Sequence, residues 1–150
     1  IPKIDGIMSY FLNANDMASS ACFSAAMYIA LRSIGANVEP TYEDFYIKQA
    51  NKGNIRARDA FLSRWDLIVA DYTVNGQKII YKINYNKQDS LNSNVPVGIM
   101  DVTGHFSGVY TDASGSKRMA DTGWSKNVGM GASSYANARN FKQFIYFEYK

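Results

Sequence analysis

The chain predicts an α+β fold in which an N-terminal helical half packs on an antiparallel sheet. Apolar residues recur at helical spacing over roughly 20–34, and helical patterns continue to about residue 66. After Leu67 the texture changes to short runs rich in Ile, Val, Tyr and Phe. Helices therefore precede strands instead of alternating with them, the order of an α+β protein rather than a parallel α/β one. A length of 150 residues fits one domain over 1–150, with no repeat and no internal boundary. The Ile1-Pro2 start without Met is expected of a mature form or a domain excised from a longer protein.

Residues 1–16 lack periodicity, and Asn13-Ala14-Asn15-Asp16 reads as a loop. The first helix, about 20–34, places Phe23, Ala26, Met27, Ala30, Leu31 and Ile34 on one face and stops at Gly35. Ser19 or Ser20 is its expected N-cap, which puts Cys22 in the first turn. A second helix starts at Thr41, with Asp44 three residues on as a loose capping box, and ends before Gly53. A third segment, about 55–66, puts Ala57, Ala60, Phe61 and Trp65 on one face. Strands are expected at 78–85, 95–102, 106–110, 118–121 and 141–149. The Asp112–Lys117 stretch is a hairpin turn, whereas 86–94 and the Gly-, Ser-, Ala- and Asn-rich 123–139 read as loops.

Composition excludes several classes of function. The mean hydropathy is negative, and no apolar run reaches the roughly 18 residues of a membrane span. Net charge is +3, and the Lys and Arg residues are scattered; the one cluster, Arg56, Arg58 and Arg64, is a weak argument for nucleic acid, so none is expected. One Cys excludes an internal disulfide. One His and one Cys with scattered carboxylates offer no ligand spacing, so neither a metal nor another cofactor is expected. The 11 Tyr, 8 Phe and 2 Trp suit peptide or glycan contact as well as core packing.

The one cysteine and the one histidine stand where a nucleophile and its base belong. Cys22 falls at a helix N-terminus, where unpaired N–H groups and the helix dipole favour a thiolate. His105 opens a strand and can take up and return a proton. Asp121 is the expected orienter of His105, because pairing across the 112–117 turn brings both to the same end of a hairpin. Asp101 and Asp112 are rivals, although Asp112 should lie at the far end. For the oxyanion, the backbone N–H of Cys22 is one donor, and Asn13, Asn15 and Tyr10 compete as the second.

Three blocks of sequence resemble the papain-like cysteine peptidases, closest to the bacteriocin-processing C39 peptidases and their C39-like relatives. Ser19-Ser20-Ala21-Cys22 followed by Phe23-Ser24-Ala25-Ala26-Met27 is similar to that family's nucleophile helix. Val95-Pro96-Val97-Gly98-Ile99 and Gly104-His105-Phe106 resemble its His-bearing strand pair, and Met119-Ala120-Asp121 resembles the strand that delivers the orienting Asp. Two positions depart from the pattern: Phe23 follows the nucleophile where the family usually has Gly, and the family's upstream Gln falls on Asp16 or near Tyr10.

The resemblance implies a papain-like fold and a thiol protease that hydrolyses amide bonds through a Cys22–His105–Asp121 triad. Its cleft would lie between the helical half and the sheet, with Trp124 and the 123–133 loop on the rim. A peptide or peptidoglycan substrate, a monomeric state and an extracellular or bacterial or phage cell-envelope location are the matching expectations. The replaced Gln leaves room for an inactive peptide- or glycan-binding module, and the triad alone would also serve a cysteine acyltransferase.

Overall fold

The structure, a computed structural model, describes residues 22–56, 62–95, 97–120 and 129–149. It is α+β, with helices packed on a six-stranded antiparallel sheet. The described elements begin with α1 (Cys22–Ser33), α2 (Tyr42–Asn51) and α3 (Trp65–Ala70). Then come β1 (Thr73–Val74), β2 (Gln77–Asn84), α4 (Lys87–Asn92), β3 (Val97–Val102), β4 (His105–Thr111) and β5 (Lys117–Ala120). α5 (Ala132–Arg139) and β6 (Phe141–Tyr149) complete the set. Strand order is β1-β2-β6-β3-β4-β5, so the last strand threads between β2 and β3.

Alternation along the strands divides the core in two. Ile99, Ala120, Ile145 and Phe147 point to the face covered by α1 and its neighbours. Met100, Val102, Val109, Met119 and Phe144 point to the other face, where Ala132, Tyr135 and Ala136 of α5 cover them. The sheet is thus sandwiched by helices rather than capped on one side.

α1 is more deeply placed than an amphipathic stripe would be. Every residue from Ser24 to Leu31 is buried. Four of these, Ser24, Ala25, Ala26 and Ala30, are small, which lets sheet and loops close around the helix. Its polar groups find partners: the Ser24 and Tyr42 hydroxyls share a hydrogen bond of 2.8 Å. The Tyr28 hydroxyl donates to the Glu39 carbonyl at 2.7 Å. α2 starts as expected, with Thr41 Oγ1 accepting from the Asp44 N–H at 3.1 Å and Glu43 and Asp44 in the positive first turn.

Behind α2 a polar network ties three segments together. Gln49 Nε2 donates to Asp71 and to the Tyr72 hydroxyl, each at 3.0 Å. The Tyr72 hydroxyl donates to the Glu39 carboxylate at 2.7 Å, and Asn54 Nδ2 donates to Gln49 Oε1 at 2.9 Å. Burial, and then the Glu39 carboxylate, push the Tyr72 hydroxyl far above its ordinary pKa, so it stays a donor. Burial works against the charge of Asp71, but hydrogen bonds from Lys52 and Gln49 outweigh it and hold that carboxyl below the usual range.

Three expectations need correction. The third helix does not run through 55–66: Ile55 bridges Leu62 as extended chain, and helix begins only at Trp65. Ala57, Ala60 and Phe61 lie outside the described residues. Residues 87–92, read as loop, form α4, because Asn86 Oδ1 accepts from the Asp89 N–H at 3.0 Å and caps a turn that is otherwise too polar to announce itself. Within 123–139, residues 132–139 form α5, which buries only Ala132, Tyr135 and Ala136 on an otherwise polar helix.

β3 lies close to β6 at Gly98, where a Cβ would strike the Phe144 ring and stand 2.9 Å from the Ile145 carbonyl oxygen. Gly98→Ala should therefore cost about 1–3 kcal/mol through overpacking. The expected readout is a lower urea midpoint at unchanged m-value; an unmoved midpoint would show that the two strands do not approach so closely.

Candidate functional site

The site forms where the head of α1 meets the start of β4. β3 and β4 pair through Val102 and His105, joined by the two-residue turn Thr103-Gly104. Gly104 holds φ at 74°, a left-handed conformation that any side chain would strain. That turn sets His105 at the first position of β4. From the opposite side α1 presents Cys22, the first of its residues described.

The His105 side chain hydrogen-bonds the Cys22 sulfur. The backbone N–H groups of Phe106 and Phe23 also donate to it. Burial by itself raises the thiol pKa, but the His105 hydrogen bond, the Phe106 N–H, the His105 charge and the Phe23 N–H together bring it below the ordinary value. The result is a half-buried thiol, beside an imidazole, that ionises more readily than an unperturbed one.

A stack of aromatic rings locks this geometry. Phe23, next to the thiol, lies parallel to Phe106, next to the base, with centroids 4.1 Å apart and planes 7° from parallel. Phe23 also packs on Trp65 at 5.9 Å, and Trp65 on Tyr81 at 4.4 Å. Phe23, the residue after Cys22, is thus a packing residue that joins α1 to β4.

A cavity of about 530 Å³ opens beside the pair, within the usual range for ligand pockets. Its described lining is mostly apolar: Phe23, Leu62, Trp65, Val102 and Phe106, with Cys22, His105 and Gly104. Asp101 and Lys142 supply its charged groups. The helical half and the sheet both contribute walls. Trp65, Leu62 and Lys142 were not among the expected site residues. Trp65 carried the one usable signal, a large aromatic at the end of a helical pattern.

Cys22 and His105 are brought together. Of the rivals of Asp121 as orienter, Asp112 lies away from them, and Asp101 lines the same cavity with its side chain hydrogen-bonded to Gln143. Asp112 sits in the β4–β5 turn, where it accepts from the Ser114 hydroxyl at 2.6 Å, the Ser116 N–H at 3.0 Å and Arg118 Nε at 3.0 Å. These hold its carboxyl well below the usual range. Asp101 lines the cavity, but the side chain that donates to it is Gln143, at 2.8 Å. Burial raises its carboxyl, and the Gln143 amide and the Lys142 charge pull the other way; His105 has no share in the shift. Asp121 itself, Asn13, Asn15, Tyr10 and Trp124 lie outside the described residues, as do Ser19 and Ser20. The described part of the 123–133 loop runs along β5 instead of lining the cavity, with the Met119 N–H donating to the Met130 carbonyl at 2.8 Å.

Among the described residues no three His, Cys, Asp or Glu side chains gather as a metal site. Among the same residues no helix is long and apolar enough to cross a membrane. Comparison of the chain with protein-family models, curated proteins and solved structures finds no match.

The lowered thiol pKa has a direct kinetic signature. Because the thiolate is the reactive form, the rate of Cys22 alkylation by iodoacetamide should rise with pH through a midpoint below that of the same thiol in the unfolded chain. In His105→Ala, where burial persists without the imidazole, the midpoint should move upward. A wild-type midpoint at or above the unfolded-chain value would contradict the geometry.

Proposed function

We propose that the chain is a cysteine peptidase of papain-like fold, C39-like in the order of its active-site residues. The observation that carries this reading is the Cys22 sulfur itself, which is hydrogen-bonded by the His105 side chain and by two backbone N–H groups at the edge of an apolar cleft.

In the proposed reaction the Cys22 thiolate attacks the scissile carbonyl carbon, and the carbonyl oxygen takes up the negative charge. The imidazolium of His105 gives its proton to the leaving amine as the C–N bond breaks, which leaves a thioester on Cys22. His105 then removes a proton from water, which attacks the thioester, and the acid product departs as the thiol is restored. Asp121 holds the imidazole in the productive tautomer. Two facts support that last assignment. Ala120, the residue before it, pairs with Gly108 on the strand that His105 opens. Of the rival carboxylates, Asp112 is held in the β4–β5 turn by Arg118, and Asp101 accepts from Gln143.

The Cys22 N–H serves the oxyanion, with Asn13, Asn15 or Tyr10 as the second donor. The substrate is a peptide, and the cross-links of peptidoglycan are the leading choice, in keeping with an extracellular or cell-envelope setting and with the mild positive charge.

Incubation with purified peptidoglycan, and separately with a leader-type peptide, should release products with new amine and carboxyl termini detectable by mass spectrometry. Cys22→Ala should abolish them, and His105→Ala should slow release by on the order of a thousandfold or more. Asp121→Ala should do so by at least about tenfold. Products that persist in Cys22→Ala would sink the proposal. A new amide in place of a free carboxyl terminus would redirect it to acyl transfer.

A further inference from the structure

One ionisable group of the cleft has no part in the thiol chemistry. Asp101 stands on β3 opposite Phe106, half-buried, and lines the same cavity as Cys22 and His105. A neutral amide, Gln143 Nε2, donates to its Oδ2 at 2.8 Å. Lys142 shares the cavity wall but forms no ion pair with it among the described residues. A half-buried carboxylate on a cavity wall shared with Phe106, Phe23, Trp65 and Leu62 loses part of its hydration, which one neutral donor does not fully replace. A cation delivered by a ligand would restore it through a charge-assisted hydrogen bond. The apolar wall adds a second requirement, a stem that packs against rings.

Lysine and arginine side chains combine an aliphatic stem with a terminal cation. We propose that this end of the cleft is a subsite for a lysine or arginine side chain of the substrate, its stem against Phe23, Trp65 and Leu62 and its cation on Asp101. Lys142 carries the same sign as this ligand, but its side chain is exposed, where solvent and salt screen it. The inference rests on the same cleft being the substrate site of a thiol enzyme.

The test compares peptidyl acyloxymethyl ketones that carry lysine, norleucine or glutamate at either of the two residues before the reactive group, with Cys22 modification followed by intact mass. The lysine probe should label at least about tenfold faster than the norleucine probe, the size expected for one charge-assisted hydrogen bond. The glutamate probe should be slowest. In Asp101→Asn the lysine-to-norleucine ratio should fall towards one. A wild-type ratio near one, or a ratio that survives in Asp101→Asn, overturns the subsite.

Plain iodoacetamide on the same sample separates this outcome from failure of the nucleophile, since a sluggish Cys22 indicts the peptidase reading instead. In that event the subsite is read on unmodified protein by NMR. The Gln143 side-chain amide should shift on titration with Nα-acetyl-lysine amide and not with Nα-acetyl-norleucine amide. No selective shift would overturn the subsite whatever Cys22 does.

Discussion

The parallel stack of Phe23 on Phe106 is the contact through which the rest of the site is held. Each ring belongs to the residue that follows a member of the thiol–imidazole pair: one sits on α1 after Cys22, the other on β4 after His105. Helix and strand are separate rigid elements, and nothing in the covalent chain fixes the gap between them. The stack closes it. It also brings the Phe106 backbone N–H onto the sulfur, so that one apolar contact sets both the position of the thiol and part of its electrostatics. Trp65 braces the stack from the side, and β2 braces Trp65 through Tyr81.

Depth of burial does the same for α1. A helix with solvent on one side can tilt or slide at modest cost. A helix enclosed from Ser24 to Leu31 can do neither without opening voids in a close-packed interior. Ser24 and Tyr28 anchor it further to Tyr42 and Glu39. Glu39 in turn accepts from Tyr72, so the helix is coupled to the network around Gln49. Rigidity at the end that carries Cys22 therefore derives from packing along the helix and from polar contacts well away from the cleft.

What the sequence disclosed follows the range of the interactions involved. The cap at Thr41 and the β4–β5 turn around Asp112 are local, and both are legible in a few residues. The pairing of Cys22 with His105 was legible because each type occurs once and each falls at the end of a patterned element. α4 and α5 were missed because their stability comes from a cap and from docking of a few residues, not from a long apolar face. The insertion of β6 between β2 and β3 is a long-range choice that no window of sequence records. Nor does a pattern reveal that Phe23 would find Phe106 or that Asp101 would face the cleft, since both depend on the meeting of α1, β3 and β4.

The solitary thiol also has a redox consequence. The thiolate, which the lowered pKa of Cys22 favours, is the form that peroxide oxidises to sulfenic acid, and a disulfide with a neighbouring cysteine is one protection against going further. This chain has no second cysteine to form one. A sulfenic acid at Cys22 is therefore returned by a thiol from another molecule, capped by a neighbouring backbone nitrogen as a sulfenamide, or carried on to the sulfinic state, so the lifetime of the free thiol depends on the reductants and oxidants around it.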